Sequence, residues 1–155
     1  MATSTDFLVL GSGVAGLTFA LTAAEHGAVL VVTKRARGDS STQWAQGGIA
    51  AVFAAEDSVD EHVADTLEAG AGLCHEVVAR ICAEEGPARI RELVERGASF
   101  DVGDAGDLHL GREGGHSRRR IVHAADATGA EVSRALLARA AAHPNIQFLE
   151  HHCAI

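Results

Sequence analysis

The sequence predicts an α/β fold with a parallel sheet, on three observations. Phe7-Leu8-Val9-Leu10 is a short continuous apolar run ending at Gly11, the pattern of a strand buried on both faces. From Gly13 to His26, Val14, Leu17, Thr18, Leu21 and Ala24 recur at spacings of three and four. That is the stripe of a helix packed on a sheet, and Gly27 is placed to terminate it as a C′ residue. Ala28-Val29-Leu30-Val31-Val32 is a second apolar run. Residues 6–33 therefore form one βαβ unit, whose crossover is expected to be right-handed.

The remaining elements follow in order. Residues 34–52 break into a polar, Gly/Ser-rich loop. A helical and loop insertion is expected over 58–128. In it, Ser58 caps a helix running to Gly70, with Glu61 completing a capping box and Val59, His62, Val63 and Leu67 on one face. Two further helices are predicted, His75–Glu85 and Pro87–Arg96. Pro87 stands at a first helical position and Gly97 at a C′ position. Residues 98–122 are irregular with short strands at best, punctuated by five glycines. Over 129–155 a helix, with Val132, Leu136, Leu137 and Ala140 inward, leads into a third strand at Ile146-Gln147-Phe148-Leu149. Asp126 or Thr128 is expected to cap that helix. Three strands leave a doubly wound sheet with an uncovered face and edge, so the chain is expected to be the N-terminal part of a longer protein.

Composition narrows the function classes. Hydrophobic residues make up 47% of the chain, too many for disorder. The net charge of −8 argues against a general nucleic-acid or anionic-membrane binder. The stretch Gly13–Val32 is interrupted by Glu25, His26 and Gly27, so no membrane span is expected. Residues Met1–Asp6 carry no basic region, so no signal peptide is expected. The three cysteines, Cys74, Cys82 and Cys153, have no CxxC spacing, which fits a reducing cytoplasm. Cys74 and Cys82 are expected to be small core residues.

The chemistry begins at Gly11-Ser12-Gly13-Val14-Ala15-Gly16. GxGxxG alone is a weak signal. Here it follows a strand and opens a helix inside a βαβ unit, the setting of a Rossmann-like dinucleotide site. Gly11 permits the tight turn, Gly13 lets backbone approach a pyrophosphate, and Gly16 lets the helix sit close to the strand. The helix N-terminus then offers free N–H groups to the anion. A nicotinamide site usually carries an acidic residue about 20 positions on. Here the second strand ends in Thr33-Lys34-Arg35. Lys34, the only lysine, is either a partner for a 2′-phosphate or a solvated surface charge.

The loop Ser41-Thr42-Gln43-Trp44-Ala45-Gln46-Gly47-Gly48 has two adjacent glycines after a polar run, and these would let backbone approach a flat ligand. A flexible connection has the same composition. The run resembles the flavin-contacting segment of the fumarate reductase/succinate dehydrogenase flavoprotein family, in which Ala-Gln-Gly-Gly follows the first βαβ unit. That family also has a lysine after its second strand, which accounts for Lys34. Its respiratory members carry a histidine bonded covalently to FAD where this chain has Ser41, so the resemblance implies FAD held non-covalently.

Further runs, Ala69-Gly70-Ala71-Gly72, Arg112-Glu113-Gly114-Gly115-His116-Ser117 and His123-Ala124-Ala125-Asp126-Ala127-Thr128-Gly129, are similar to the aspartate-oxidising branch of that family. The resemblance covers nearly the whole chain. It implies FAD-dependent oxidation of L-aspartate to iminoaspartate, with reoxidation by dioxygen or fumarate. It also implies a place in NAD synthesis from aspartate and a hand-off of iminoaspartate to quinolinate synthase. The family's catalytic base, an arginine in a capping domain, is expected beyond Ile155, so no catalytic residue is assigned within the chain.

The cluster from Arg112 to Arg120 is the densest cationic spot, suited to a dicarboxylate because guanidinium pairs with carboxylate bidentately. By itself it is also the pattern of a solvated loop. Family members acting on succinate have an uncharged residue where this chain has Glu113, and a carboxylate there could pair with the ammonium of aspartate. Two alternatives remain: a succinate/fumarate oxidoreductase subunit, disfavoured by Ser41 and Glu113, and a dinucleotide-binding module without chemistry. His109, His116 and His123 recur every seven residues, but the glycines among them disfavour a shared helix face, so coincidence is favoured over metal ligation. His151-His152-Cys153 lies at a strand end where neighbours face opposite ways, so no metal site is expected there.

Overall fold

The computed structural model describes residues 4–104 and 106–155. Met1–Thr3, the start of the segment read for a signal peptide, lie outside the described residues. Two compact units emerge: Met1–Gln46 with Arg96–Ala98 and Gly129–Ile155, and Gly47–Glu95 with Ser99–Thr128.

The first unit is the βαβ unit plus its later partner. Strand β1 (Phe7–Leu10), helix α1 (Val14–Ala23) and β2 (Val29–Thr33) follow as the periodicity predicts. Strand β6 (Ile146–Glu150) joins the far side of β2, giving a parallel sheet of order β1-β2-β6. Register pairs Val9 with Val31 and Val29 with Ile146. These four residues are buried, and α1 contributes Leu17, Ala20 and Leu21 to the same core. Asn145 Nδ2 donates to the Ala24 carbonyl at 2.9 Å, joining the end of α1 to the start of β6.

Two expectations are corrected here. Strand β1 is not buried on both faces. Only Val9 is buried, whereas Leu8 and Leu10 on the other face are 57% and 61% exposed. That face continues through their register partners Leu30 and Val32 to Leu149, also exposed. Gly27 is not a C′ residue either. Helix α1 closes at Ala24 in right-handed conformation. Gly27 is required by a close approach, since a Cβ there would lie 2.6 Å from Asp6 Oδ2, the oxygen that accepts the Ala28 N–H at 2.8 Å.

The second unit contains helices α2 (Val59–Ala69) and α3 (Glu76–Glu95), packed on each other, and a small antiparallel sheet, order β3-β5-β4. Its strands are Ile49–Ala50 (β3), Leu110–Gly111 (β4) and Ile121–Val122 (β5). Strand β3 falls inside the segment expected to be loop. A two-residue strand shows no periodicity, and only its pairing with β5 defines it.

Ser58 caps α2, accepting the Glu61 N–H at 3.2 Å. The reciprocal half of the capping box is absent, because Asp57 Oδ1 takes the Ser58 N–H. The two helices expected at 75–96 are one, with Pro87 inside it. Proline removes one helical hydrogen bond but can be tolerated where packing holds both sides. Ala83 and Ile90, on either side of Pro87, are both buried. Gly97 ends the segment at φ +99°, as expected of a C′ glycine.

Helix α4 (Thr128–Ala141) buries Val132, Leu136 and Ala140 as the pattern predicts. Of the two residues expected to cap it, Thr128 lies inside the helix as its first residue. The Thr128 hydroxyl turns back to accept the Ala124 N–H at 3.1 Å. Cys82 is exposed and Cys74 half-buried, so neither is the core residue expected. Among the described residues no helix is long and apolar enough to cross a membrane.

Candidate functional site

In the first unit, the turn from β1 into α1 has the geometry its glycines require. Gly11 adopts φ +99°, a conformation that side chains rarely tolerate. A Cβ on Gly16 would strike the Gly11 carbonyl oxygen and come within 3.3 Å of Val9 Cγ1, so helix and strand meet as closely as the motif implies. Gly13 is the N-cap of α1 and provides no side-chain cap. The Thr42 hydroxyl takes the Val14 N–H at 2.9 Å. Other first-turn N–H groups of a helix have no intrahelical partner, and with the helix dipole they favour an anion.

A cavity of about 760 Å³ opens against this turn. It gathers Gly11, Ser12, Gly13, Lys34, Ser41, Thr42 and Trp44 among the sequence-predicted residues. Trp44 is 74% exposed there, with Nε1 3.4 Å from Asp39 Oδ1. Val14, Ala15 and Gly16 belong to α1 and are not among the residues that line the cavity. Gln43 is occupied locally, its N–H on the Ser40 carbonyl at 3.0 Å. The Ala45 carbonyl accepts the Gly129 N–H at 2.9 Å, and a Cβ on Gly129 would strike the Thr42 carbonyl. The start of α4 therefore holds the loop.

Sequence reasoning missed part of this wall. Asp39 lines it, paired with Arg35 at 3.0 Å. Hydrogen bonds from Arg35 and Trp44 hold its carboxyl below the usual range, against a small opposing effect of burial. His152, Cys153 and Ala154 also line the cavity, and the His152 N–H donates to the Thr33 carbonyl at 2.9 Å. No spacing in the sequence signals their arrival beside β2, because strand order alone brings them there.

In the second unit, Gly47 begins the segment and Gly48 follows. Gly48 has an internal reason to be glycine, since a Cβ would strike Ile121 Cγ2 and lie 2.6 Å from the Val122 carbonyl. Of the two, Gly47 keeps open space where a Cβ would stand. Glu113 Oε1 lies 3.5 Å from the Gly48 N–H, the long limit of a hydrogen bond. The structure thus brings together Gly48 and Glu113, which are far apart in sequence.

The reading of Arg112 to Arg120 as a cationic spot for a dicarboxylate, or a solvated run, is corrected at Arg120. Arg120 has no exposure at all. It donates to both oxygens of Asp57 at 2.9 and 2.8 Å and to Asp65 Oδ2 at 2.7 Å. Arg118 pairs with Glu61 at 2.8 Å. Arg112 Nε donates to the His116 carbonyl at 2.9 Å. Burial alone would raise the Asp65 pKa, but bonds from Ser117 and Arg120 outweigh it and bring it to about 2. Beside them, burial lowers the His62 pKa, reinforced by Arg120 and His116.

His109 and His123 do meet, Nδ1 to Nε2 at 2.9 Å, with Asp101 2.9 Å from His123 Nδ1. Among the described residues no group of three His, Cys, Asp or Glu side chains is disposed to hold a metal.

A parallel βαβ turn with a left-handed first glycine, a helix N-terminus and a cavity over both is the phosphate end of a dinucleotide-binding domain. The chain belongs to the FAD binding domain family, which it matches over residues 6–155. Tobacco (Nicotiana tabacum) L-aspartate oxidase 2-a, chloroplastic, is 58% identical over 97% of this chain and 23% of its own length. The L-aspartate oxidase of Vibrio cholerae is 49% identical over 97% of this chain and 29% of its own. The chain thus spans about a quarter of the length of these curated relatives. Among solved structures, an E. coli quinol fumarate reductase FrdA variant superposes with TM-score 0.89 at 29% identity, over 95% of this chain and 26% of that one. Mycobacterium smegmatis Sdh1 superposes with TM-score 0.88 at 32% identity, over 96% and 28%.

FAD is the cofactor of this family, and the residues present fit it. The Gly11–Gly13 turn gives backbone access, and the Ser40 hydroxyl is an orphaned buried polar atom in the cavity wall. Lys34 supplies a cation where a nicotinamide site would have a carboxylate.

Proposed function

We propose that this chain is the N-terminal, cofactor-binding part of an FAD-dependent L-aspartate oxidase that forms iminoaspartate. Capping and C-terminal domains supplied by the longer protein would complete the catalytic machinery. The observation that carries the reading is Glu113, whose carboxylate meets the N–H of Gly48 within the Gln46-Gly47-Gly48 run. The names of the relatives above support the same activity.

FAD, when bound, supplies the acceptor for the hydride that leaves Cα of the substrate, and fumarate or dioxygen takes the electrons onward. The chain's own residues bind and orient. The N-terminus of α1, with Gly11, Ser12 and Gly13, would hold the pyrophosphate. Lys34, Ser41, Thr42 and Trp44 would line the rest of the cofactor's bed, with Gln43, Ala45, Gln46, Gly47 and Gly48 shaping the loop. Ser41 has no ring nitrogen with which to form the histidyl bond, so the cofactor is held non-covalently. Glu113 would pair with the ammonium of aspartate.

The imine product hydrolyses readily in water, which favours direct consumption by a quinolinate synthase in the same compartment. We infer the cytoplasm for that compartment from the unpaired cysteines; the plant relatives are named chloroplastic. A succinate/fumarate oxidoreductase is the second reading, supported by the fold likeness and disfavoured by Ser41 and Glu113.

The test uses the full-length, flavin-loaded protein with Glu113→Gln, which keeps shape and removes charge. A charge-assisted hydrogen bond of about 1.5–3 kcal/mol predicts a roughly 10–150-fold loss of kcat/KM for L-aspartate. Fumarate reduction should fall much less, because fumarate has no ammonium. Equal loss of both activities would remove Glu113 from amino-group recognition. No turnover of L-aspartate by the unmodified protein would remove the oxidase reading itself.

A further inference from the structure

The buried Arg120 needs an explanation that stability does not provide. A fully buried ion pair gains little over well-packed apolar side chains, because desolvation offsets the attraction. What the arrangement does achieve is a fixed point. Arg120 grips Asp57 with two bonds and holds Asp65 Oδ2 with a third. That same Asp65 oxygen accepts both the Ser117 N–H and the Ser117 hydroxyl, each at 2.7 Å. Asp65 is in the middle of α2, a rigid element, and Ser117 is in the loop that bears Glu113.

From Ser117 the restraint runs back through a short turn. The His116 N–H donates to the Glu113 carbonyl at 3.3 Å, and Arg112 Nε donates to the His116 carbonyl at 2.9 Å. Arg118, immediately after Ser117, is fastened to Glu61 on the same helix. The loop contains Gly114 and Gly115, the latter at φ +83°. Two glycines would leave the Glu113 carboxylate poorly located unless the loop were anchored close by. Strand β4 ends two residues before Glu113, and on the other side of the two glycines the loop is anchored to α2 by the Ser117–Asp65 pair.

We infer that Ser117, through Asp65 and the buried Arg120, is a positioning residue for Glu113 and thereby sets the preference for an amino-dicarboxylate over a plain dicarboxylate. Ser117 touches no substrate in this scheme; it acts by fixing where the Glu113 carboxylate stands. The inference rests on the proposed reading of Glu113.

The experiment compares Ser117→Ala and Ser117→Thr in the full-length, flavin-loaded protein, each alone and combined with Glu113→Gln. Misplacing a recognition group by a fraction of an ångström costs about tenfold or more in rate. Ser117→Ala should therefore lower kcat/KM for L-aspartate by about that factor, with fumarate reduction within about twofold of the unmodified protein. Ser117→Thr keeps the hydroxyl and should restore the aspartate rate. On the Glu113→Gln background Ser117→Ala should add almost nothing, because the group it positions is already lost.

Parallel loss of both activities, or an undiminished Ser117→Ala effect on the Glu113→Gln background, would overturn the positioning role. Unchanged activity for aspartate in Ser117→Ala would do the same. If Glu113→Gln itself leaves aspartate selectivity intact, the underlying reading fails first, and the positioning role falls with it. Failure of Ser117→Ala alone leaves that reading standing.

Discussion

The interiors of the two units are built on different physics. In the first, backbone hydrogen bonds and aliphatic side chains do the work: Val9, Val29, Val31 and Ile146 line up across three parallel strands. In the second, the strands are two residues long, and a buried guanidinium between two carboxylates sits in the interior. The first kind of interior is forgiving, because an aliphatic residue can be exchanged for another of similar volume. The second is not, because removing one charge strands its partners. A cofactor cradle can be built on the forgiving kind. The loop proposed to place the Glu113 carboxylate is built on the other.

The largest expected effect comes from breaking that ion cluster. Arg120→Ala should destabilise the full-length protein by about 3–5 kcal/mol, since it leaves Asp57 and Asp65 uncompensated. Denaturant titration would measure it. A loss under about 1 kcal/mol would mean that water reaches the cluster and that the contrast between the units is overdrawn.

The next concerns the first unit. Gly13→Val should leave folding largely intact but weaken FAD binding by at least about tenfold, because a branched side chain would stand between the α1 N-terminus and a pyrophosphate. A Cβ at Gly13 already lies 3.4 Å from Thr42 Oγ1. Flavin counted in the supernatant after acid precipitation gives the readout, non-covalent cofactor being released there. Full flavin content in the folded variant would move the phosphate site elsewhere.

The smallest sharpens the comparison through pH. The Asp65 pKa is depressed to about 2, below the ~3.9 of an unfolded aspartate. Its contribution is therefore fully present above the unfolded value and is lost as pH falls from about 4 through 2. His62 has a lowered pKa as well, so protonation opposes folding as pH drops below the ordinary histidine value. Stability measured against pH should decline over both ranges, and Asp65→Asn should flatten the lower one. An unchanged lower limb in that variant would contradict the assigned charge state.

The sequence made the first unit legible because its signals are local. Strand, turn glycine and helix stripe fall within 6–33, and Ser58 and Gly97 mark helix ends by chemistry that needs no partner. What escaped reading depends on distance. Arg118-Arg119-Arg120 looks like a solvated run, and nothing nearby reveals that Arg120 meets Asp57 and Asp65, 63 and 55 residues earlier. Pro87 reads as a helix start by local rule, yet packing on both sides carries α3 through it. The glycine pair at 47–48 reads as one feature, but the side chain of Ile121 accounts for the second. Glu113 was legible by family resemblance, whereas the Ser117 anchor beside it was not.

The strand order β1-β2-β6 also imposes a schedule on synthesis. Strands β1 and β2 leave the ribosome almost together, but β6 is encoded after the whole second unit. At ~5–20 residues per second the wait is on the order of ten seconds. During that interval one edge of β2, with its unpaired N–H and C=O groups and the aliphatic residues Leu30 and Val32, has no strand to receive it. Translation speed through the middle of the gene, and any chaperone that shields the growing chain, thus acts on the yield of correctly paired sheet rather than on its final stability.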